Sequence, residues 1–481
     1  MFQILNYING KFQHSISEKK LESIDPSIGK AYATLPDSDE QDVEMAVIAA
    51  QKALPEWSKT PVEQRAKLIN KLADLLERDL EKFALAECVD NGKPIWLTRE
   101  TDIPRAISNF RFFASAAQTF TNESSGVDGK FLNYTLRQPV GIIGCISPWN
   151  LPLYLITWKI APALATGNCV IAKPSEITPM TAFLLCELAT EAGIPAGVLN
   201  IVHGLGQKVG EAISAHPAIK AVSFTGGTVT GRKVAATAAP LFKKLSLELG
   251  GKNPNIIFAD CDFEKMIATT VRSSFQNQGQ ICLCGSRILI EKSIYTKFKS
   301  AFVNAVKLLT IGDPLLENSR QGAIVSKLQY DKVLACIDLA KKEGGVILCG
   351  GEAVKVNGRC ENGYFILPTI IENLPENCRT NQEEIFGPVV TIMPFENEKD
   401  AIELANSTSY GLAATIWTSN LAKAHRVSAA IDSGIVWVNT WMIRDLRTPF
   451  GGVKDSGVGR EGGDDALRFC TEAKNVCLAI D

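Results

Sequence analysis

The feature that most constrains this chain is an alternation that begins near residue 140. Short apolar runs, each ending at Gly, Ser or Pro, take turns with helical segments. Strands are expected at 141–147, 169–173, 198–203 and 221–224. Helices are expected at 153–165, from Thr178-Pro179 to Ala192, at 207–215 and at 231–239. Strands joined through a helix and two short turns run in the same direction, so this stretch specifies a parallel, doubly wound sheet of the α/β class. Ligands bind such sheets at the carboxyl ends of the strands. A second α/β region is expected after Glu248-Leu249-Gly250-Gly251, with strands at 286–291, 346–349, 389–394, 413–417 and 435–438. Ahead of the alternation, Asn9-Gly10 reads as a hairpin turn. Thr60-Pro61-Val62-Glu63 has capping-box spacing with Pro at the first helical position. Leu68, Ile69, Leu72, Leu76, Leu80 and Phe83 then follow on one helical face, and another helix is expected at 43–57.

Composition narrows the function. The 481 residues suit two or three domains. With 50 Lys+Arg against 52 Asp+Glu, the formal net charge of −2 lacks the electrostatic footprint of a nucleic-acid binder. No 18-residue apolar run occurs, so no membrane span is expected, and the amino terminus lacks a basic segment ahead of an apolar one. The 13 Cys are an odd count without a secretory signal, which points to free thiols in a reducing, cytoplasmic compartment. Most should be buried small hydrophobes. The question is which of them is a nucleophile.

Two glycine motifs follow expected strands: Gly204-Leu205-Gly206-Gln207-Lys208-Val209-Gly210 and Gly226-Gly227-Thr228-Val229-Thr230-Gly231-Arg232-Lys233. Either alone reads equally well as an ordinary turn. On successive βα units they favour a dinucleotide, whose phosphates approach backbone N–H groups at a helix start. Arg232 stands where a P-loop needs Lys, which argues against ATP hydrolysis. Glu176, in Lys173-Pro174-Ser175-Glu176, could accept bonds from a ribose hydroxyl pair and repel a 2′-phosphate, favouring NAD over NADP. On spacing alone, a solvated loop charge reads better.

The stretch Gln276-Asn277-Gln278-Gly279-Gln280-Ile281-Cys282-Leu283-Cys284 carries two thiols on a polar turn. A Cys-x-Cys pair could be half a zinc site, but no second Cys pair or His cluster has suitable spacing, so no metal is expected. The four His have no motif around them, which disfavours a Cys–His dyad. Glu248 lies 34 residues before Cys282 at an expected strand end, where burial would let it deprotonate a thiol or water. Asn150, between Pro148 and Pro152, offers an amide to an oxyanion.

Over essentially its whole length the chain resembles the aldehyde dehydrogenase superfamily. The resemblance is carried by Pro148-Trp149-Asn150, Phe224-Thr225-Gly226, Leu247-Glu248-Leu249-Gly250-Gly251-Lys252, Gly279-Gln280-Ile281-Cys282, Glu384-Ile385-Phe386-Gly387-Pro388 and Pro449-Phe450-Gly451-Gly452. Gly227 departs from the pattern, since many relatives carry Ser there. The resemblance implies two doubly wound Rossmann-like domains plus a small β oligomerisation arm. These would be an NAD-binding domain at 1–120 and 140–249, a catalytic domain at 250–449, and the arm and tail at 121–139 and 450–481. It makes Cys282 the nucleophile that attacks an aldehyde to form a thiohemiacetal, whose oxyanion is held by Asn150 and the Cys282 backbone N–H. Glu248 becomes the base that activates water against the resulting thioester, and Lys159 a supporting lysine. Lys173 and Glu176 match adenosine-ribose positions. Ser147, Trp149, Gly206, Gly210, Phe224, Gly226, Gly227 and Leu249 border the cofactor, and Glu384 and Phe386 hold its nicotinamide ribose. Cys284 would be a bystander.

Within the superfamily the chain is similar to the 2-aminomuconic semialdehyde dehydrogenases of tryptophan (kynurenine) breakdown, with the 2-hydroxymuconic enzymes close by. Arg105 and Arg444 match positions bordering the substrate funnel, with Phe450 beside them, and arginine there would clamp a carboxylate. Arg111 reads as structural and Arg447 as a weaker candidate. The expected substrate is therefore a carboxylated semialdehyde, and the enol-or-enamine difference is not legible. The competing readings are a general aldehyde dehydrogenase whose arginines face solvent, and a silent NAD-binding scaffold. The stretches 124–137 and 469–479 match a strand-exchanging arm, which implies a homodimer or homotetramer.

Overall fold

The computed structural model describes residues 1–480. Its largest sheet has eight strands, in the order Gly457–Val458, Lys244–Glu248, Ile219–Thr225, Ile142–Ile146, Cys169–Lys173, Leu199–Ile201, Asn6–Ile8 and Lys11–Gln13. The five strands from Lys244–Glu248 to Leu199–Ile201 are parallel. The hairpin at one edge and the short strand at the other are antiparallel. Ile142–Ile146 and Cys169–Lys173 are buried along their whole length because helices cover both faces. The chain moves outward from Ile142–Ile146 through Cys169–Lys173 to Leu199–Ile201, then returns to Ile219–Thr225 on the opposite side. The strand order therefore reverses between Ile142–Ile146 and Ile219–Thr225, and a crevice opens at their carboxyl ends.

A second sheet has seven strands, in the order Val346–Cys349, Thr369–Glu372, Val389–Phe395, Gly285–Glu291, Asn253–Ile257, Ala413–Trp417 and Ile435–Val438. Only the first pairs antiparallel. Separate apolar clusters pack on its two faces, one around Phe298, Phe302 and Trp417, the other around Phe258, Phe395 and Val427. A three-stranded antiparallel sheet joins Ser124–Val127, Phe131–Pro139 and Thr471–Ala479. No helix among the described residues is long and apolar enough to cross a membrane.

Several local expectations change. Asn9 and Gly10 do form a two-residue hairpin turn, both at positive φ. The capping box at Thr60 does not form: its hydroxyl donates to the Glu56 carbonyl at 3.0 Å, and the helix Val62–Arg78 starts without a side-chain cap. The helix expected at 207–215 is instead a wide turn at Gly206–Gly210 leading into the short helix Glu211–Ala215. Residues 450–480 go three ways. Gly457–Val458 joins the eight-stranded sheet, helix Gly463–Phe469 buries Ala466 and Leu467 in the core of that sheet, and only Thr471–Ala479 pairs with the arm. Glycines at positive φ, among them Gly451, Gly457 and Gly459, let the chain turn sharply back onto the sheet.

Candidate active site

Asn150 lies where the chain leaves Ile142–Ile146, just before Pro152 opens the helix Pro152–Ala165. It is buried, and its Nδ2 donates to the Gln280 carbonyl at 3.0 Å. An amide nitrogen carries two hydrogens, so one remains for a ligand. The loop bearing Cys282 reaches the same place through a backbone seldom seen outside glycine. Asn277 and Gln278 both take positive φ (52° and 55°), and Gly279 follows at 68°. A Cβ on Gly279 would collide with the Gly387 carbonyl. Asn277 donates to the carbonyls of Asn150 at 3.0 Å and Gln280 at 3.3 Å, joining the two loops. Asn253 donates to the carbonyls of Cys282 at 2.6 Å and Cys284 at 2.9 Å.

The Cys282 thiol is pushed well up, chiefly by burial and then by the charges of Glu384 and Glu248, with Arg444 opposing. It therefore rests protonated and requires a base. Cys284 packs among Leu283, Trp437 and Trp441, and burial pushes it up to about 12.

Glu248 ends the strand Lys244–Glu248 and is buried with neither carboxylate oxygen hydrogen-bonded. Burial, followed by the charge of Glu461, holds it well above the usual carboxylate range. A Cβ on Gly451 would stand 2.7 Å from its Oε1, so glycine leaves the carboxyl its room. Lys159 donates to Ser223 Oγ at 3.0 Å and to Glu461 Oε1 at 2.8 Å. Sequence reasoning missed Glu461: only the fold brings it to Lys159.

Asn150 and Cys282 border a cleft of about 210 Å³ at the point where the strand order reverses. Trp149 and Asn150 line one side and Gly226, Gly227 and Leu249 the floor, while Cys282, Glu384 and Phe386 complete it. Gln329 and Lys332 line it too, and no motif marked them. Gln329 Nε2 donates to the Phe386 carbonyl at 2.8 Å, and Lys332 Nζ to the Glu384 carbonyl at 3.3 Å. Glu384 Oε1 accepts from the Gly251 N–H at 2.9 Å. Phe386 has φ 59°, unusual for so bulky a residue, and its ring stands edge-on to Trp149 at 5.2 Å.

Ser147, Lys173, Glu176, Phe224, Gly206 and Gly210 do not line this cleft. They stand at neighbouring strand ends. The Ser147 N–H donates to the Lys173 carbonyl at 3.1 Å, and its buried Oγ has no partner. Lys173 Nζ donates to Glu176 Oε2 at 2.6 Å and to the Pro174 carbonyl at 3.0 Å. A Cβ on Gly226 would lie 2.5 Å from the Phe224 ring, whereas Gly227 and Gly206 each have open space where a Cβ would stand. Gly210 is buried in the turn after Leu199–Ile201. A row of strand ends, a helix start at Gly227 and a paired Lys–Glu fits a dinucleotide.

Arg105 Nη2 donates to the Arg444 carbonyl at 3.5 Å. Both guanidinium groups flank the Tyr154 ring, at 5.8 Å and 5.9 Å, and Arg444 lies 3.6 Å from the Phe450 ring centre and 5.3 Å from that of Trp158. Neither arginine has a carboxylate partner among the described residues, and burial together with the charge of Arg444 lowers Arg105. Arg111 instead pairs with Asp74 and Glu77, and Arg447 with Asp445, all on the surface.

A thiol and a half-free amide lining a dinucleotide-type cleft, with an elevated carboxyl near enough for its charge to act on the thiol, suit covalent oxidation of a carbonyl carbon. The sequence profile of the aldehyde dehydrogenase family matches residues 12–476, and the chain belongs to that family. It is 51% identical over 476 residues to the 2-aminomuconic semialdehyde dehydrogenase of Danio rerio, covering 98% of this chain and 97% of that one. It is 43% identical over 486 residues to the 2-hydroxymuconic semialdehyde dehydrogenase of Pseudomonas sp. (strain CF600), covering both chains fully. Among solved structures, an NAD+ complex of aldehyde dehydrogenase from Bacillus cereus superimposes with a TM-score of 0.97 at 39% identity, covering 100% of this chain and 97% of that one.

Proposed function

We propose that the protein is an NAD-dependent dehydrogenase that oxidises 2-aminomuconate 6-semialdehyde to 2-aminomuconate. The observation that carries the substrate is the pair Arg105 and Arg444, two half-buried cations in contact with each other and without a carboxylate at ion-pair distance among the described residues, with Arg444 near enough for its charge to act on the Cys282 thiol. A carboxylate on the substrate would bind between the two by charge-assisted bonds. The 2-hydroxy analogue presents the same carboxylate, and the Pseudomonas relative's name keeps it as the second reading.

Cys282, once its thiol has lost its proton, attacks the aldehyde carbon as the thiolate, and the oxygen takes up the negative charge beside the free Asn150 Nδ2 hydrogen and the Cys282 N–H. Glu384, Phe386, Trp149, Gly226, Gly227 and Leu249 would hold the nicotinamide end of NAD, with Lys173 and Glu176 at the adenosine ribose. Bound there, NAD supplies the acceptor for the hydride. Cys282 then carries the acyl group as a thioester. Glu248 takes a proton from water, which attacks the acyl carbon and frees the thiol.

We read the eight-stranded sheet and its helices as the cofactor domain, the seven-stranded sheet as the catalytic domain, and the three-stranded sheet as the arm of a homo-oligomer. All thirteen cysteines are free, which supports a reducing, cytoplasmic setting. Steady-state kinetics on two substrates test the reading. Arg105→Ala or Arg444→Ala should raise KM for the aminomuconic semialdehyde by about tenfold to a hundredfold, the worth of a charge-assisted bond, and barely change it for a neutral aldehyde. Arg111→Ala and Arg447→Ala should leave both substrates alone. Equal losses on the two substrates would sink the carboxylate clamp.

A further inference from the structure

One buried cation is outside the machinery described so far. Lys93 is fully buried, one residue past the left-handed Gly92 that ends the helix Leu80–Asn91. All three of its donors are used: Nζ reaches Asp102 Oδ2 at 2.6 Å, Glu87 Oε1 at 3.3 Å and the Asn150 carbonyl at 2.9 Å. Glu87 and Asp102 are buried as well. Burial pulls the Lys93 ammonium down, but the two carboxylates more than offset it, so it stays charged.

The neighbours of Lys93 grip the same loop. Asn91 Nδ2 donates to the Trp149 carbonyl at 2.8 Å, and Glu87 Oε2 accepts from the Leu153 N–H at 3.2 Å, an otherwise orphan donor in the first turn of Pro152–Ala165. One short segment thus fixes the backbone on either side of Asn150. Asn277, from the nucleophile loop, caps the same Asn150 carbonyl from the other direction. Backbone rotation at Asn150 would break both bonds, so only its side chain remains to meet a ligand.

A buried charge cluster of this kind is a poor stabiliser. Desolvating three charges costs several kcal/mol per ion, and well-packed apolar replacements are often as stable. What the cluster supplies is a fixed position, and the position it fixes is that of the proposed oxyanion donor.

We propose that Lys93 is the positioning residue of the oxyanion site: its ammonium locks the Asn150 main chain so that the Nδ2 hydrogen not given to Gln280 faces the aldehyde oxygen. This rests on reading Asn150 as that donor. Its reach extends to the substrate side, because Asp102 immediately precedes the helix Ile103–Thr119 that carries Arg105.

The test is a double-mutant cycle on the holoenzyme, with saturating NAD and a neutral aldehyde, so that the arginine pair plays no part. Asn150→Ala should lower kcat by about 10²–10³-fold, the loss of one oxyanion donor. Lys93→Met should lower kcat by about tenfold or more while KM for NAD stays within about twofold. Placed on Asn150→Ala, Lys93→Met should change kcat by less than about twofold, because no donor is left to position. Equal factors in the two backgrounds, or an intact kcat in Lys93→Met, would overturn the positioning role. An intact kcat in Asn150→Ala would overturn the donor reading and the positioning role with it. Should Lys93→Met not fold, the triple variant Glu87→Gln/Lys93→Met/Asp102→Asn removes all three charges together and runs through the same cycle with the same outcomes.

Discussion

Glu248 and Cys282 both hold their protons more tightly than such groups usually do, for the shared reason that burial disfavours the charged form. For catalysis the consequence is a rising pH dependence. The thiol becomes a thiolate, and the carboxyl a base, only as pH climbs toward their elevated values, so kcat/KM should increase from about pH 6 to about pH 9. A flat profile over that range would contradict the assignment. For stability the sign is set by linkage. A group whose folded pKa lies above its unfolded value contributes stability that is full below the unfolded value and is lost as pH rises through the folded one. Glu248 is such a group, because burying its charged form without a hydrogen-bond partner is unfavourable. Glu248→Gln, which never ionises, should therefore melt at a higher temperature than the parent protein, with a gap that widens as pH rises above the ordinary carboxylate value of about 4.3 toward the elevated one. The same variant should stall at the thioester, which acid quenching and mass spectrometry would detect as an acylated Cys282. A melting gap that narrows with rising pH would show that burial of the charge is not what matters at this position.

The helix Thr228–Ala238 is where sequence and packing set the cofactor cleft together. It begins at Gly227, directly after Ile219–Thr225, and Gly231 faces inward so closely that a Cβ would overlap the Leu249 side chain. Gly231→Ala should push the helix start away from the strand end, cost about 1–3 kcal/mol of stability by overpacking and weaken NAD binding. Gly227→Ser has open space and restores a capping hydroxyl at the helix start, so stability should hold or improve by a few tenths of a kcal/mol. Thermal melting and NADH fluorescence titration read both effects, and a destabilised Gly227→Ser would mean that the position is not free. Elements like this one were legible because their signals are local: an apolar run, a glycine turn, then helical spacing. Asn253–Ile257 and Thr369–Glu372 were not, because a proline inside the first and the four-residue length of the second leave little strand signal of their own. Both are strands because neighbours bond them on either side. The cap expected at Thr60 failed for a related reason, since its hydroxyl found the preceding turn's carbonyl instead. In the candidate site, Cys282, Glu248 and Asn150 were readable because each sits in a dense motif. Glu461 and Lys93 were not, because they meet their partners across 302 and 57 residues of chain.

Taken as a whole, the molecule leaves one element without a core of its own. The strands Ser124–Val127, Phe131–Pro139 and Thr471–Ala479 form a three-stranded sheet whose pairing puts Leu132 opposite Leu478 and Tyr134 opposite Val476. With Leu136, these side chains share one face of the pleat, and Leu132, Leu136 and Leu478 are each about 40% exposed. The two outer strands also leave their outer edges unpaired among the described residues. A thin sheet with a wet apolar face and two open edges is marginal by itself and prone to pair with another chain. That supports the arm as the contact between copies of this protein. Leu132→Asp/Leu478→Asp places two carboxylates on the shared face and should lower the solution mass measured by light scattering, by about half if the arm joins pairs of equal units. Circular dichroism should be unchanged, because neither side chain belongs to the buried cores of the two large sheets. The mass reached would separate the two assemblies considered, since a tetramer held as a pair of dimers through the arm falls to dimers, whereas an arm-linked dimer falls to monomers. An unchanged mass would place the contact between copies elsewhere and leave the exposed face of the arm to be explained by another partner.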